Sequence, residues 1–136
     1  MAHPLCVAAA VATLKVLDEE KILPHVKNVA GPHLRHRLEE MKAKHACVGD
    51  VRQVGLVSCL ELVKSKTTKE PLAPYNASSP AVLEMNKFLK ERGLYVFTHW
   101  NILHVNPPLV TTTQQIDEIF AVLDEALSLG DKHCTA

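Results

Sequence analysis

The residues best suited to chemistry in this 136-residue chain gather in one stretch, Tyr95 to Leu109, which holds Phe97, His99, Trp100, Asn101 and His104. Imidazole changes charge near neutral pH, and aromatic rings offer flat apolar faces. On a tight loop held by the strands behind it, such a group suits contact with a substrate. A hairpin with Trp100 merely packed on a neighbour is the other reading, and composition does not choose between them. Cys59 adds a thiol. With His104 it would form a nucleophile pair whose members meet only in space, although a buried strand cysteine is the commoner meaning. Glu61 interrupts an apolar run, where its ordinary role is an edge-facing or salt-bridged carboxylate.

Other chemistries find less support. Eight histidines raise the question of a metal, and His33 and His36 share a helix face at i, i+3. They lack a suitably spaced third ligand and sit among Arg35, Arg37 and Glu39 as a solvated surface would, so no metal site is expected. The four cysteines, at 6, 47, 59 and 134, contain no Cys-x-x-Cys pair and read as free thiols. Five glycines, at 31, 49, 55, 93 and 130, allow neither a Walker loop nor a dinucleotide fingerprint. The acidic runs Asp18-Glu19-Glu20 and Glu39-Glu40 read as solvated helix faces. Asn76-Ala77-Ser78 matches a glycosylation acceptor by chance if the chain is cytosolic.

With 15 Lys and Arg against 15 Asp and Glu, the chain has no basic excess for a phosphate backbone or an anionic bilayer, so neither nucleic acid nor membrane is an expected partner. No run approaches the roughly 20 apolar residues of a membrane span. The apolar start at Cys6 to Val11 lacks the basic lead-in of a signal peptide, which points to a cytoplasmic protein. A hydrophobic content of 47% over 136 residues suits a single core and a single domain, 1–136.

The elements that must position these residues follow from periodicity. Pro4 suits the first turn of a helix reaching about Glu20, apolar nearly all round and so a candidate interface element. A second helix is predicted from about Pro24 to Lys44 on Val26, Val29, Ala30, Leu34, Leu38 and Met41, with a kink or break at Gly31-Pro32. Val51 to Val54 and Leu56 to Val63 read as strands around Gly55, with Leu56, Leu60 and Leu62 on one face. Ser78-Ser79-Pro80 starts a third helix through Leu83, Met85, Phe88 and Leu89, which stops at Gly93. Leu94 to Phe97 and Ile102 to Val105 read as paired strands joined by His99-Trp100-Asn101, the second ended by Pro107-Pro108. Thr112 caps the last helix with Gln115 in a capping box. Ile116, Ile119, Phe120, Leu123 and Leu127 form its stripe, and Gly130 its end. The order ααββαββα predicts an α+β fold with helices on one face of a small, mainly antiparallel sheet.

Three segments together resemble the C-terminal small domain of class III (omega-amino acid) aminotransferases, which depend on pyridoxal phosphate. His3-Pro4-Leu5 with its Ala-rich helix resembles the family's Gly-His-Pro-Leu segment. Val48-Gly49-Asp50-Val51-Arg52-Gln53-Val54-Gly55-Leu56, followed by Leu60-Glu61-Leu62-Val63, resembles its G-D-V-R-G-x-G-L … G-I-E-L-V run. Arg92-Gly93-Leu94 and Asn106-Pro107-Pro108-Leu109, followed by Thr112 and the amphipathic helix, resemble E-R-G-L … P-P-L … T. Order and spacing hold over essentially the whole chain. Glu70 to Asn76 and the Trp100-Asn101 hairpin look most like the taurine- or β-alanine-pyruvate branch.

The resemblance implies the small domain of a fold-type I enzyme. Its parent would carry an amino group from an omega-amino acid or related amine to pyruvate or another oxo acid. In the family a separate large domain supplies the Schiff-base lysine, the partner of the pyridine nitrogen and the phosphate site. None of the eleven lysines here has the matching context, so no catalytic or cofactor-binding residue is assigned and the chain alone is expected to be inactive. The expected partners are that large domain and a second subunit. Many relatives place an arginine before Pro-Pro-Leu for the substrate carboxylate. The alignment puts His104 there, a weaker and pH-dependent contact. Trp100 and His104, with Phe97 behind them, are the resulting candidate substrate-wall residues. The alternative is a stand-alone, non-catalytic binding or oligomerisation module derived from such a domain.

Overall fold

The computed structural model describes residues 3–135. It has five α-helical segments and a four-stranded antiparallel sheet, the α+β arrangement expected. The helices are α1 (Pro4–Glu19), α2 (Ile22–His25), α3 (Gly31–Lys44), α4 (Pro80–Glu91) and α5 (Thr113–Asp131). The strands are β1 (Val48–Val54), β2 (Val57–Leu62), β3 (Phe97–His99) and β4 (Ile102–His104), in spatial order β1-β2-β4-β3.

The sheet register decides which side chains are available for function. Val51, Leu60 and Leu103 are laterally aligned and buried against the helices. Because strand side chains alternate, the flanking positions all point the other way. That open face carries Asp50, Glu61, Ile102 and His99 in one row and Arg52, Cys59, His104 and Phe97 in the next. The core on the covered side comprises Leu34, Leu38 and Met41 of α3, Met85 and Leu89 of α4, and the α5 stripe Ile116, Phe120, Leu123 and Leu127. Leu83, expected on the α4 stripe, is instead exposed.

Several boundaries differ from the sequence expectations, each for a local reason. Gly31-Pro32 neither breaks the second helix nor ends it. The chain enters at Ile22 and widens into a π-turn over Val26–Ala30 before continuing as α3. The Gly31 N–H donates to the Val26 carbonyl, five residues back, and this wider turn accommodates the proline that follows. Any Cβ at Gly31 would lie 2.5 Å from the same carbonyl oxygen, so glycine is required here. Gln53 Nε2 then ties the β1–β2 turn to this bend, donating to the Gly31 and Gly55 carbonyls at 2.8 and 2.7 Å.

At the other end, α5 runs through Gly130 to Asp131. Gly130 is a packing residue: a Cβ there would sit 2.9 Å from Met85 Sδ and 3.0 Å from Cys47 Sγ. The expected strand Leu94–Phe97 shifts to Phe97–His99 and shares only Phe97 with it; the Leu94 N–H is instead taken by the Leu89 carbonyl at the end of α4, at 2.9 Å. The Thr112–Gln115 capping box is present, with reciprocal bonds of 3.0 and 3.2 Å, and Ser79 caps α4.

Candidate functional site

The β3–β4 hairpin builds the densest group of rings in the molecule. His99 pairs with Ile102, leaving Trp100 and Asn101 as a two-residue turn. Trp100 has φ +55°, while Asn101 does not share the left-handed conformation. A positive φ at the first turn residue alone is the type II′ pattern, a place normally held by glycine. A bulky residue is strained there, and such strain persists only where the surroundings hold it. They do so here: the Trp100 ring lies 3.8 Å from the His99 ring on one side and 4.3 Å from the Tyr75 ring on the other.

Phe97 and His104 face each other across the ladder with ring centroids 5.3 Å apart, and Phe97 lies 6.0 Å from His99. The structure thus joins Phe97 directly to His104, and Trp100 to both only through His99. The clefts are separate as well. Trp100 and His99 line one of about 340 Å³ with Asn86 and Thr98, where Thr98 Oγ1 donates to Asn86 Oδ1 at 2.7 Å. His104 lines another of about 180 Å³ with Asn106, Pro107 and Pro108. The two share no lining residue, and Phe97 lines neither.

The open face beside the rings is charged but internally neutralised. Arg52 Nη2 bonds Glu61 Oε2 at 2.8 Å and its Nη1 lies 3.6 Å from Asp50, which also binds Lys42 Nζ at 2.8 Å. The Glu61 hydrogen bond holds the Arg52 guanidinium still more firmly protonated. The Lys42 hydrogen bond holds the Asp50 carboxyl below the usual carboxylate range. Glu61 therefore has the salt-bridged role, on an interior strand. A third cavity, of about 490 Å³, is lined by Asp50, Arg52 and Glu61 with Lys66 and Lys69.

Cys59 and His104 are register partners on β2 and β4. The Arg52 guanidinium, in turn, is placed on the other side of that thiol. His33 and His36 do not converge: His33 Nε2 pairs with Asp117 at 2.8 Å and His36 Nε2 with Glu40 at 3.1 Å. Among the described residues, no three His, Cys, Asp or Glu side chains are placed to share a metal ion. Sequence reasoning did not place Tyr75 on the wall. It comes from the loop after β2, which the Val63–Pro71 bridge and the Leu72 N–H to Leu62 carbonyl bond fold back.

A lysine able to carry pyridoxal phosphate would have to face such a wall free of ion pairing. Neither row of the open face contains one. Lys42, Lys44 and Lys64 are held by Asp50, Asp124 and Glu70, and Lys66 Nζ donates to the Lys42 carbonyl. Neither row offers a cofactor aldehyde a free amine, although Lys69 lines the cavity beside Arg52 and Glu61.

Comparison with known proteins places these features. The chain is 35% identical to isoleucine 2-epimerase of Lentilactobacillus buchneri over 93% of its length, covering 27% of that protein. It is 34% identical to putrescine–pyruvate aminotransferase of Pseudomonas aeruginosa over 92% of its length, covering 26% of that protein. Taurine:2-oxoglutarate aminotransferase from Bifidobacterium kashiwanohense, solved with PLP and glutamate, superposes with a TM-score of 0.87 at 35% identity. There the match covers 96% of this chain and 29% of the other. The chain thus spans little more than a quarter of the proteins it matches. The aminotransferase class-III family model matches residues 1–127, and this chain belongs to that family.

Proposed function

We propose that this chain is the small-domain portion of a pyridoxal-phosphate-dependent class III transaminase. Its parent moves an amino group from an omega-amino acid or related amine donor to pyruvate or another oxo acid. The observation that carries this reading is the match of one contiguous family segment to 26–29% of much longer proteins. Two aminotransferases are among them, and their kind of reaction is the one proposed here. The cofactor, bound elsewhere in the parent, supplies the electron sink for reaction at the donor carbon. In this reading the present residues shape the substrate side. Trp100, Phe97 and His104 form a wall of ring faces, His99 bridges them, and Tyr75 closes the outer end.

The same reading assigns α1 to an interface. Leu5, Val7, Val11, Leu14 and Val16 are all exposed and no residue of the helix is buried. The large domain of the parent, or a second subunit, covers it, in a cytoplasmic homo-oligomer that engages neither nucleic acid nor membrane. No described helix is long and apolar enough to cross a bilayer. Alone, the 136-residue chain is expected to be silent. Its assay with pyridoxal phosphate, an amine donor and pyruvate tests this, and turnover overturns it. The DNA upstream of the Met1 codon tests the other half: an in-frame large domain with its lysine supports the reading, and a stop codon with an independent promoter replaces it with a non-catalytic assembly module.

A further inference from the structure

His45 is a buried titratable group that the aromatic wall does not use. It stands between α3 and β1, 1% exposed. Its Nδ1 is 2.7 Å from Asp131 Oδ2 and its Nε2 is 2.7 Å from Asp124 Oδ1. Asp131 also accepts the Cys47 backbone N–H at 2.8 Å, and Asp124 accepts from Lys44 Nζ at 2.6 Å.

An ionised carboxylate only accepts hydrogen bonds, whereas a neutral imidazole has one donor and one acceptor nitrogen. A neutral ring here would aim a lone pair at a carboxylate oxygen in a setting shielded from water, a costly arrangement. Both carboxylates are kept ionised by their surroundings. Burial works against them, yet hydrogen bonds from Lys44 and His45 leave Asp124 below its ordinary range. The Cys47 N–H and His45 do the same for Asp131.

We infer that His45 donates a hydrogen bond from each ring nitrogen, to Asp131 and to Asp124, and so acts as a pin fastening the C-terminal end of α5 to the α3–β1 junction. The groups around it are Asp124 and Asp131 from α5, Lys44 from α3, which bonds Asp124, and Cys47 just before β1, whose backbone N–H and thiol lie against Asp131. Cys134 and Lys66 stand one step further out, around Asp131. Lys44 and His45 balance Asp124 and Asp131, so the set is neutral only with both ring protons in place. Protonating either aspartate removes an acceptor from the pin.

The pin lies next to the wall's supports. Beyond Asp131, the Cys134 thiol donates to the Val63 carbonyl at 3.5 Å and the Thr135 N–H to the Lys64 carbonyl at 2.8 Å. The Lys64 N–H donates to the Glu70 carbonyl at 2.7 Å, inside the loop that delivers Tyr75. Releasing the end of α5 therefore removes two of the bonds at the base of that loop, while the Leu72 N–H to Leu62 carbonyl bond and the Val63–Pro71 bridge remain.

Two measurements on the full 136-residue chain test the inference. Long-range proton–nitrogen NMR of the His45 ring at pH 7 should show slowly exchanging protons on both nitrogens; a single-tautomer pattern overturns the proposal. Hydrogen exchange should show protection at 128–134 falling at least about tenfold in His45→Gln, while 116–122 changes less than about twofold. Equal protection in the variant overturns the pin. The ring spectrum needs no variant, so it decides the matter even if His45→Gln fails to fold.

Discussion

Phe97 and His104 oppose each other across the β3–β4 ladder, ring centroids 5.3 Å apart, and present one continuous surface on the sheet face that the helices leave open. Phe97→Ala removes a cross-strand ring pair from a largely exposed site, so it should cost only about 0.2–1 kcal/mol of stability. In the parent transaminase, the same change is expected to raise KM for the amine donor several-fold. Urea titration of the chain and steady-state kinetics of the parent check the two halves. An unchanged KM would remove this pair from the substrate wall.

Trp100 offers a sharper test, because its backbone and its ring pull in opposite directions. Trp100→Gly relieves a left-handed conformation that costs a non-glycine residue about 1–3 kcal/mol. It also deletes the stacking on Tyr75 and His99. The thermal midpoint should therefore move by only a few degrees, while proton shifts of the Tyr75 ring move to exposed values. A large loss of stability would show that the ring, and not the turn, holds the hairpin.

Gly130→Ala should destabilise by about 1–3 kcal/mol, the usual cost of overpacking a well-filled core. The new methyl meets Met85 Sδ at 2.9 Å and Cys47 Sγ at 3.0 Å. Chemical denaturation measures it. Gly130→Ala should cost less in a Met85→Ala background than in the unaltered chain, and absence of any loss in the unaltered chain would mean that α5 slides to make room.

Acid should weaken the fold through Asp131 and Asp124. Their folded values lie below the ordinary carboxylate range, so the stability they contribute is complete above about pH 4 and declines as pH falls through the lowered folded values. The urea midpoint followed from pH 7 down to 3 should fall in its acid limb. Asp131→Asn should flatten that limb and lower the plateau. An unchanged acid limb would contradict the assignment.

Much of this architecture is legible in the residues because local and tertiary preferences agree. The Thr112–Gln115 capping box, the α5 stripe and the Ser79 cap are local devices, and their side chains reach the partners that the spacing implies. Gly31 and Gly130 share a packing role that the sequence does not display. A glycine reads as punctuation in a sequence, but in both places its missing Cβ makes room for a close neighbour: the Val26 carbonyl in one case, and Met85 and Cys47 in the other. The wall was half visible. The hairpin rings lie close in sequence, whereas Tyr75 and the charges of Arg52 and Glu61 join them only through strand register and loop return. The separation of the Trp100 and His104 clefts carries no trace in the spacing at all.

Helix α1 contributes nothing to the core, and the chain leaves it through Lys21, which adopts a left-handed φ of +53°. Its hydrogen bonds are satisfied within 16 residues, a length at which an isolated helix in water is marginal. The chain therefore has two melting units, a cooperative body from Ile22 onward and an appendage that frays on its own. Limited trypsin digestion should trim the chain at Lys21 and leave that body intact, while circular dichroism records a shallow helical loss well before the main transition.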